Sequence, residues 1–352
     1  MNSLEKFTDL TTRQEQLDYN QIKECTDALI SDRVTLLEKE NFLTALSTKG
    51  ESPSEIAHFI KCFKGLARNP QLDNFSSNAI DLCGTGGDRA GSFNISTFTS
   101  FVLASSGVNV IKHGNRSISS KCGSADLIEA IGIPLNLENS QINECMEKFN
   151  FAFLFAPAFH PAFKNIGPVR REMATKGLIS IFNILGPMIN PASPSYQILG
   201  VYSEPLVKKI RDSLHHAGQS SGYVLHGNIE NHDHIKGVDE LTPCGQNIIH
   251  PFGPDSQSPQ NSLSAKDFGL TQCSIDELKG GNLDKNIEIM NLVLNDDASE
   301  GLKNSILMNC SLAFMAIKRT DNLIDGVKLA NELISDGSVK DWLNRVKRHF
   351  IK

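Results

Sequence analysis

The chain has 352 residues, 40% of them apolar, and a formal charge of −6. That length can bury a large core and favours a large domain joined to a smaller one, while the acidic balance supplies no basic face for long nucleic acid or an anionic membrane. Eight cysteines, at 25, 62, 83, 122, 145, 244, 273 and 310, form no CxxC pair. Neither a zinc cage nor a disulfide scaffold is indicated, and they read as reduced core residues of a cytosolic protein. The opening MNSLEKFTDLTTRQEQL lacks a basic region followed by an apolar one, and no stretch approaches about eighteen uninterrupted apolar residues. The expectation is a soluble, cytoplasmic chain with no nucleic-acid or membrane partner.

From Leu17 to about Asn69 apolar residues recur at helical spacing, punctuated by Ser31-Asp32 and by Glu51-Ser52-Pro53. Ser52 reads as an N-cap, Pro53 as a first-turn proline and Glu55 as a first-turn acid. The pattern then changes: Ala79 to Leu82 is a short apolar strand running into glycines, and Thr97 to Ser106 is helical and stops at Gly107. VNVIKHGN is a second strand, and Ala125 to Ala130 a helix ending near Gly132. Residues 151–157 (FAFLFAP), 196–202 (YQILGVY) and 221–228 (SGYVLHGN) supply further strands, each bounded by Gly, Pro or Asn. Repeated strand–loop–helix units predict an α/β fold with a mainly parallel central sheet beside a helical N-terminal unit. PFGPDSQSPQNSLSAKD reads as an irregular surface excursion. Helical spacing returns from Asp284 to Arg348.

Three segments carry candidate chemistry. The loop DLCGTGGDRAGSFNIST joins a strand end to a helix start, where backbone N–H groups and the positive end of a helix suit phosphate. It matches neither G-x-G-x-x-G nor a P-loop. Asp88 within it would repel phosphate unless a divalent cation or sugar hydroxyls intervene. Ser92, Asn94, Ser96 and Thr97 offer hydroxyl and amide groups, with ordinary capping as the competing explanation. The second loop, KHGNRSISSKCGSAD, brings Lys112, Arg116 and Lys121 among small residues, as an oxyanion-rich ligand requires. His113 is a pocket wall more readily than a general base. Asn115 can orient a carboxylate or amine. In GVDELTP, Asp239 and Glu240 follow a strand and a glycine. With the Ser96 hydroxyl they form the hard oxygen set that Mg²⁺ prefers, whereas NHDHIK lacks the further soft ligands a transition-metal site needs.

These segments, together with HPAFKNIGPVRRE, IFNILGPMINPASPSYQILGVY and LKGGN, occur in the order and spacing seen in anthranilate phosphoribosyltransferases, and the resemblance covers nearly the whole chain. It implies a helical domain of residues 1–74 rejoined by about 168–187, an α/β domain of 75–167 and 188–352, and a homodimer formed through the helical domain. It assigns Gly84, Gly87, Asp88, Ser92, Asn94, Ile95, Ser96, Thr97, Lys112, His113, Gly114, Asn115, Arg116, Ser117, Ile118, Ser119, Ser120 and Ser124 to phosphoribosyl pyrophosphate. Gly84, Asn115 and Arg170 fall to anthranilate, and Ser96, Asp239 and Glu240 to two Mg²⁺ ions per subunit. Asp88, Lys112 and Arg170 are the residues it places in catalysis. Two departures stand out: REMATKGLISIFN is a few residues longer than the common pattern, with Ile179 where arginine or proline is frequent, and a longer segment precedes Asp239. A nucleoside phosphorylase of related fold and a non-catalytic phosphoribosyl pyrophosphate-binding protein are the competing readings. The Asp239–Glu240 pair argues against the first, since free phosphate has less use for two metals, and the intact set of Asp88, Ser96, Asp239 and Glu240 argues against the second.

Overall fold

The computed structural model describes residues 4–116, 121–254 and 261–350. Its N-terminal unit consists of α1 (Glu5–Thr12), α2 (Tyr19–Ile30), α3 (Leu36–Lys49) and α4 (Pro53–Gly65). Asp18 with Gln21, Thr35 with Glu38 and Ser52 with Glu55 close capping boxes on the last three, occupying N–H groups that helix geometry leaves without partners. Glu55 is also buried and accepts Leu17 N at 3.0 Å and Lys49 Nζ at 2.6 Å. Desolvation alone would raise its pKa, but these bonds outweigh that cost and hold the carboxyl below its usual range. Helix α1 precedes the stretch whose spacing is legible and is held by buried Leu4 and Phe7.

The α/β part begins with α5 (Asp73–Ser76) and β1 (Ala79–Gly84), then α6 (Ile95–Ser105), β2 (Asn109–Gly114), α7 (Ser124–Ala130), α8 (Asn139–Phe149) and β3 (Phe151–Phe155). The chain continues through α9 (Ala156–Phe159), α10 (Gly167–Thr175), β4 (Tyr196–Gly200), α11 (Pro205–His216), β5 (Ser221–Asn228), β6 (Gly237–Val238), β7 (Asn247–Phe252) and β8 (Ser262–Leu263). Helices α12 (Leu283–Leu294), α13 (Glu300–Ala316), α14 (Leu323–Ser335) and α15 (Ser338–Phe350) complete it. One sheet runs β3-β2-β1-β4-β5-β7-β8, with β6 paired to β5. The five strands from β3 to β5 are parallel and β6, β7 and β8 are antiparallel.

The antiparallel extension corrects the reading of 251–267 as wholly irregular. Pro251 and Phe252 end β7, Ser262 and Leu263 form β8, and residues 255–260 lie outside the described residues. Side-chain alternation along each strand divides the core. Ile80, Leu82, Ile198 and Leu225 join Phe98, Phe101, Phe314 and Trp342 on one face of the sheet. Cys83, Leu199 and Val224 join α11 and the N-terminal helices on the other. Val169 and Met173 of α10 and Phe182 belong to that second cluster, where Phe63 packs edge-on against Phe182 with ring centroids 5.5 Å apart.

Candidate functional site

Chain order reverses at β1, which has β2 on one side and β4 on the other; the crevice beyond the carboxyl ends of such strands is where open α/β sheets hold ligands. Three glycines at strand ends shape it. A Cβ on Gly84 of β1 would lie 2.2 Å from Asp239 Oδ2, and one on Gly200 of β4 would lie 1.5 Å from the Asp239 carbonyl oxygen. A Cβ on Gly227 of β5 would come within 2.4 Å of the Glu240 carbonyl oxygen. The bareness of the strand ends therefore first makes a seat for Asp239-Glu240. The rest of the loop needs glycine for another reason: Gly86, Gly87 and Gly91 take φ values of 65°, 87° and 65°, which side chains disfavour.

The carboxylates are held but not neutralised. Asp239 Oδ2 accepts Gly86 N at 2.7 Å, and Glu240 Oε1 accepts Ser96 N at 3.0 Å. Burial and then the charge of Asp88 raise Asp239 to about 7. Burial and then Asp239 push Glu240 well above the ordinary carboxylate range. Glu240 Oε2 is buried without a hydrogen-bond partner, the condition of an acid that lacks its counter-charge. Among the described residues no three His, Cys, Asp or Glu side chains stand together as a metal cage. An ion here would need hydroxyl, water or phosphate oxygens to complete its shell, which is how Mg²⁺ is commonly held. The orphaned Glu240 oxygen and the nearby Ser96 hydroxyl fit that requirement.

The capping explanation for the hydroxyl-rich helix start fails. No side chain caps α6 at Asn94, whose amide instead points toward Cys122 O at 3.5 Å and Asn286 Oδ1 at 3.4 Å. Ser92 is pinned through its backbone: it bridges Lys279, Phe93 N donates to Leu278 O, and Gly280 N donates to Gly91 O. Ile95 is core, its side chain buried and its N–H donated to Phe93 O at 2.7 Å. Thr97 is also buried, with a hydroxyl that has no partner.

The second loop is less uniformly cationic in space than in sequence. Lys112 does not stand in the loop. It lies in β2, only 2% exposed, and its Nζ donates to Leu82 O and, at 3.3 Å, to Ser96 Oγ. Burial lowers its pKa while Asp81, Glu240 and Asp239 oppose that shift, so it balances charge beneath the crevice. Arg116 binds Asp126 and Glu129 at 2.8 Å each, which commits its cation to α7. Lys121 is exposed. Asn115 is exposed, with its carbonyl accepting Ala125 N at 3.2 Å and Ser124 Oγ at 3.2 Å, so the loop closes on itself. Gly114 is required there, since a Cβ would sit 2.4 Å from Ser124 Oγ. Ser117, Ile118, Ser119 and Ser120 lie outside the described residues.

His113 is buried and packs edge-on against His160 with centroids 5.0 Å apart. Burial lowers His113 to about 3 and His160 to about 4. Both are neutral near pH 7, which excludes His113 as a cationic acid and leaves it a wall. His160 and Asn190, which donates to buried Asp81 and to Ile111 O at 2.9 Å each, were not singled out from sequence. Lone polar residues in apolar company carry little signal before folding. Arg170, on α10, is half-buried, burial lowers its pKa, and no carboxylate partners it among the described residues. Neighbouring Arg171 is exposed. An unpaired, partly desolvated guanidinium calls for an anion.

A glycine-lined crevice with a buried acid pair at the sheet reversal, and a partly buried arginine on α10 that no carboxylate partners among the described residues, suit a transferase acting on a phosphorylated donor. Residues 76–340 match the α/β domain of a glycosyl transferase family and residues 6–65 its helical bundle domain. Similar proteins include the anthranilate phosphoribosyltransferase of Persephonella marina, 36% identical over 96% of both chains, and that of Chloroflexus aurantiacus, 37% identical over 91% of both. The crystal structure of the Thermus thermophilus enzyme of the same name superposes with a TM-score of 0.86 at 33% identity, over 98% of this chain and 99% of that one. A Saccharomyces cerevisiae anthranilate phosphoribosyltransferase in complex with phosphoribosyl pyrophosphate and Mg shares the fold, with a TM-score of 0.81 at 23% identity over 98% of both chains. The chain belongs to the anthranilate phosphoribosyltransferase family.

Proposed function

We propose that the protein transfers the phosphoribosyl group of phosphoribosyl pyrophosphate to anthranilate, giving N-(5-phosphoribosyl)anthranilate and pyrophosphate, the second step from chorismate toward tryptophan. One observation carries the reading: the Asp239–Glu240 pair, short of counter-charge, is seated by three glycines facing the loop from Gly84 to Thr97. Phosphoribosyl pyrophosphate would lie along Gly84, Gly87, Asp88, Ser92, Asn94 to Thr97, residues His113 to Ser120 and Ser124, with Lys112 beneath them. Two Mg²⁺ ions at Ser96, Asp239 and Glu240 would neutralise the leaving pyrophosphate when bound. Within the chain, Lys112 fixes the Ser96 hydroxyl and Asp88 sets the field on Asp239. Arg170, Asn115 and Gly84 would together orient the anthranilate carboxylate and amine. Preorganised charge and positioning supply the acceleration, and the neutral aromatic amine needs no strong base. This departs from a direct phosphate contact for Lys112, because its ammonium is engaged below the loop.

We infer a domain division of 1–74 with 168–187 against 75–167 with 188–352, in which Val169, Met173 and Phe182 pack with the N-terminal helices in a cluster that also takes in Cys83, Leu199 and Val224 of the sheet. Exposed Leu36, Leu37, Leu178 and Ile179 support self-association through the helical part as a homodimer, and no described helix is long and apolar enough to cross a membrane, in keeping with a cytoplasmic enzyme. The test is the fall of anthranilate fluorescence in purified protein on adding phosphoribosyl pyrophosphate and Mg²⁺. Product of the expected mass supports the reading, and unchanged fluorescence at saturating substrates contradicts it.

A further inference from the structure

The eight cysteines are not equivalent. Seven are buried and only Cys273 is partly exposed. Its Sγ lies 3.6 Å from Sγ of Cys244. The two come from segments that each connect to the candidate site. Cys244 follows the acid pair along a short stretch tied down by Leu241 N to Asn309 Oδ1 at 3.1 Å and by Thr242 N to Asn247 Oδ1 at 2.7 Å. Cys273 precedes Lys279-Gly280, the stretch whose backbone bonds pin Gly91 to Phe93 of the glycine loop. The backbones are already joined, Cys273 N donating to Pro243 O at 3.4 Å.

We propose that Cys244 and Cys273 are a thiol–disulfide modification site that couples the oxidation state of the protein to the acid pair. The oxidant class is a hydroperoxide. Both S–H bonds break and one S–S bond forms. The two electrons released cleave the O–O bond, and the two protons leave with its oxygens as one alcohol and one water, or two waters from hydrogen peroxide. Closing the bond shortens the sulfur separation by roughly 1.5 Å, and in a close-packed interior that movement has to be taken up by the two segments. Two further features favour the reaction. Cys273 supplies the entry for the oxidant, although its bond to Cys244 and its burial push its own thiol up, and the N-terminus of α13 beside it is already occupied by Glu277, which accepts Gly301 N at 3.0 Å. Cys273, by donating to Cys244, holds that thiol below its usual range against the effect of burial. Cys25, Cys62, Cys83, Cys122, Cys145 and Cys310 are all buried.

The experiment treats the full-length protein with hydrogen peroxide, quantifies free thiols, and maps tryptic peptides without reduction. Trypsin separates the two residues, because Lys236, Lys266 and Lys279 place Cys244 in 237–266 and Cys273 in 267–279. The expected result is the loss of two thiols and a cross-linked pair of these peptides, reversed by a dithiol reductant and absent in both Cys273→Ser and Cys244→Ser. Peroxide that yields no such link, or that oxidises the buried cysteines at the same rate, overturns the proposal. The coupling is read as the Mg²⁺ concentration for half-maximal turnover, which should rise at least about threefold on oxidation and stay constant in peroxide-treated Cys273→Ser. A linked protein with unchanged Mg²⁺ dependence overturns the coupling. That second arm rests on the proposed transferase activity and the first does not, so a failure of each is told apart.

Discussion

Replacing Gly84 by alanine tests the seat of the acid pair most sharply. The added Cβ would stand 2.2 Å from Asp239 Oδ2, 2.7 Å from its Cγ and 3.3 Å from its carbonyl oxygen. Ordinary contact begins near 3.4 Å, so the carboxylate has to retreat by about 1.2 Å, the difference between 3.4 and 2.2. It cannot do so and keep the 2.7 Å bond from Gly86 N. Losing a hydrogen bond to a charged group costs about 1.5–3 kcal/mol, and displacing a positioning group by about 1 Å costs on the order of 10²-fold in rate. Steady-state fluorescence kinetics should therefore show kcat/KM reduced on the order of 10²-fold, with a raised Mg²⁺ requirement. Thermal unfolding without ligand should move only by the roughly 1–3 kcal/mol expected of overpacking. Gly200→Ala meets backbone at 1.5 Å and should fold worse. Wild-type turnover and Mg²⁺ dependence in Gly84→Ala would refute the reasoning, because the seat would then have no bearing on activity.

Arg170→Ala should raise the KM for anthranilate at least about tenfold, since removing a charged hydrogen-bond partner costs roughly 1.5–3 kcal/mol, while exposed Arg171→Ala stays near wild type in the same assay; equal behaviour of the two would reject Arg170 as the acceptor's anchor. Activity should vanish in excess chelator. Glu240→Gln should be more damaging than Asp239→Asn, because Glu240 keeps an unpartnered oxygen for an ion while Asp239 leans on Gly86; full turnover in chelator would sink the metal reading, and matched losses its ranking. His113 and His160, lowered first by burial to about 3 and about 4, bind fewer protons folded than unfolded, where the pKa is about 6.5. Their contribution is therefore complete above about pH 6.5 and falls as the pH drops toward 4, by about 1.4 kcal/mol per pH unit for each residue. Urea titrations at pH 6.5 and 5 should show His160→Gln losing about 2 kcal/mol less than wild type; identical losses would mean that the imidazoles do not stay neutral.

Much of the fold was legible because local chemistry and global packing agree. Ser52-Pro53-Glu55 starts the helix it should, and the strand read at 221–228 coincides with β5. The antiparallel edge was not legible: NIIHPF carries no distinguishing alternation, and its pairing with β5 is a long-range choice made by the sheet. In the site, Asp239, Glu240, Ser96 and the glycines could be found because their residue types are costly without a purpose. What could not be found was direction. Lys112 reads as a loop cation but is drawn under β1 by the Leu82 carbonyl and three neighbouring acids. Arg116 reads likewise but pairs with Asp126 and Glu129 of α7, ten and thirteen residues further along. Both outcomes depend on partners brought near by folding, which spacing does not reveal.

The most direct test of the central claim is anthranilate fluorescence in a single cuvette, followed through sequential additions of protein, phosphoribosyl pyrophosphate and Mg²⁺. The account predicts no change until all three are present, then a continuous decline that stops with excess chelator and produces pyrophosphate mole for mole. Anthranilate left untouched by protein that demonstrably binds the donor would contradict the assigned acceptor, and consumption without the donor would contradict phosphoribosyl transfer itself.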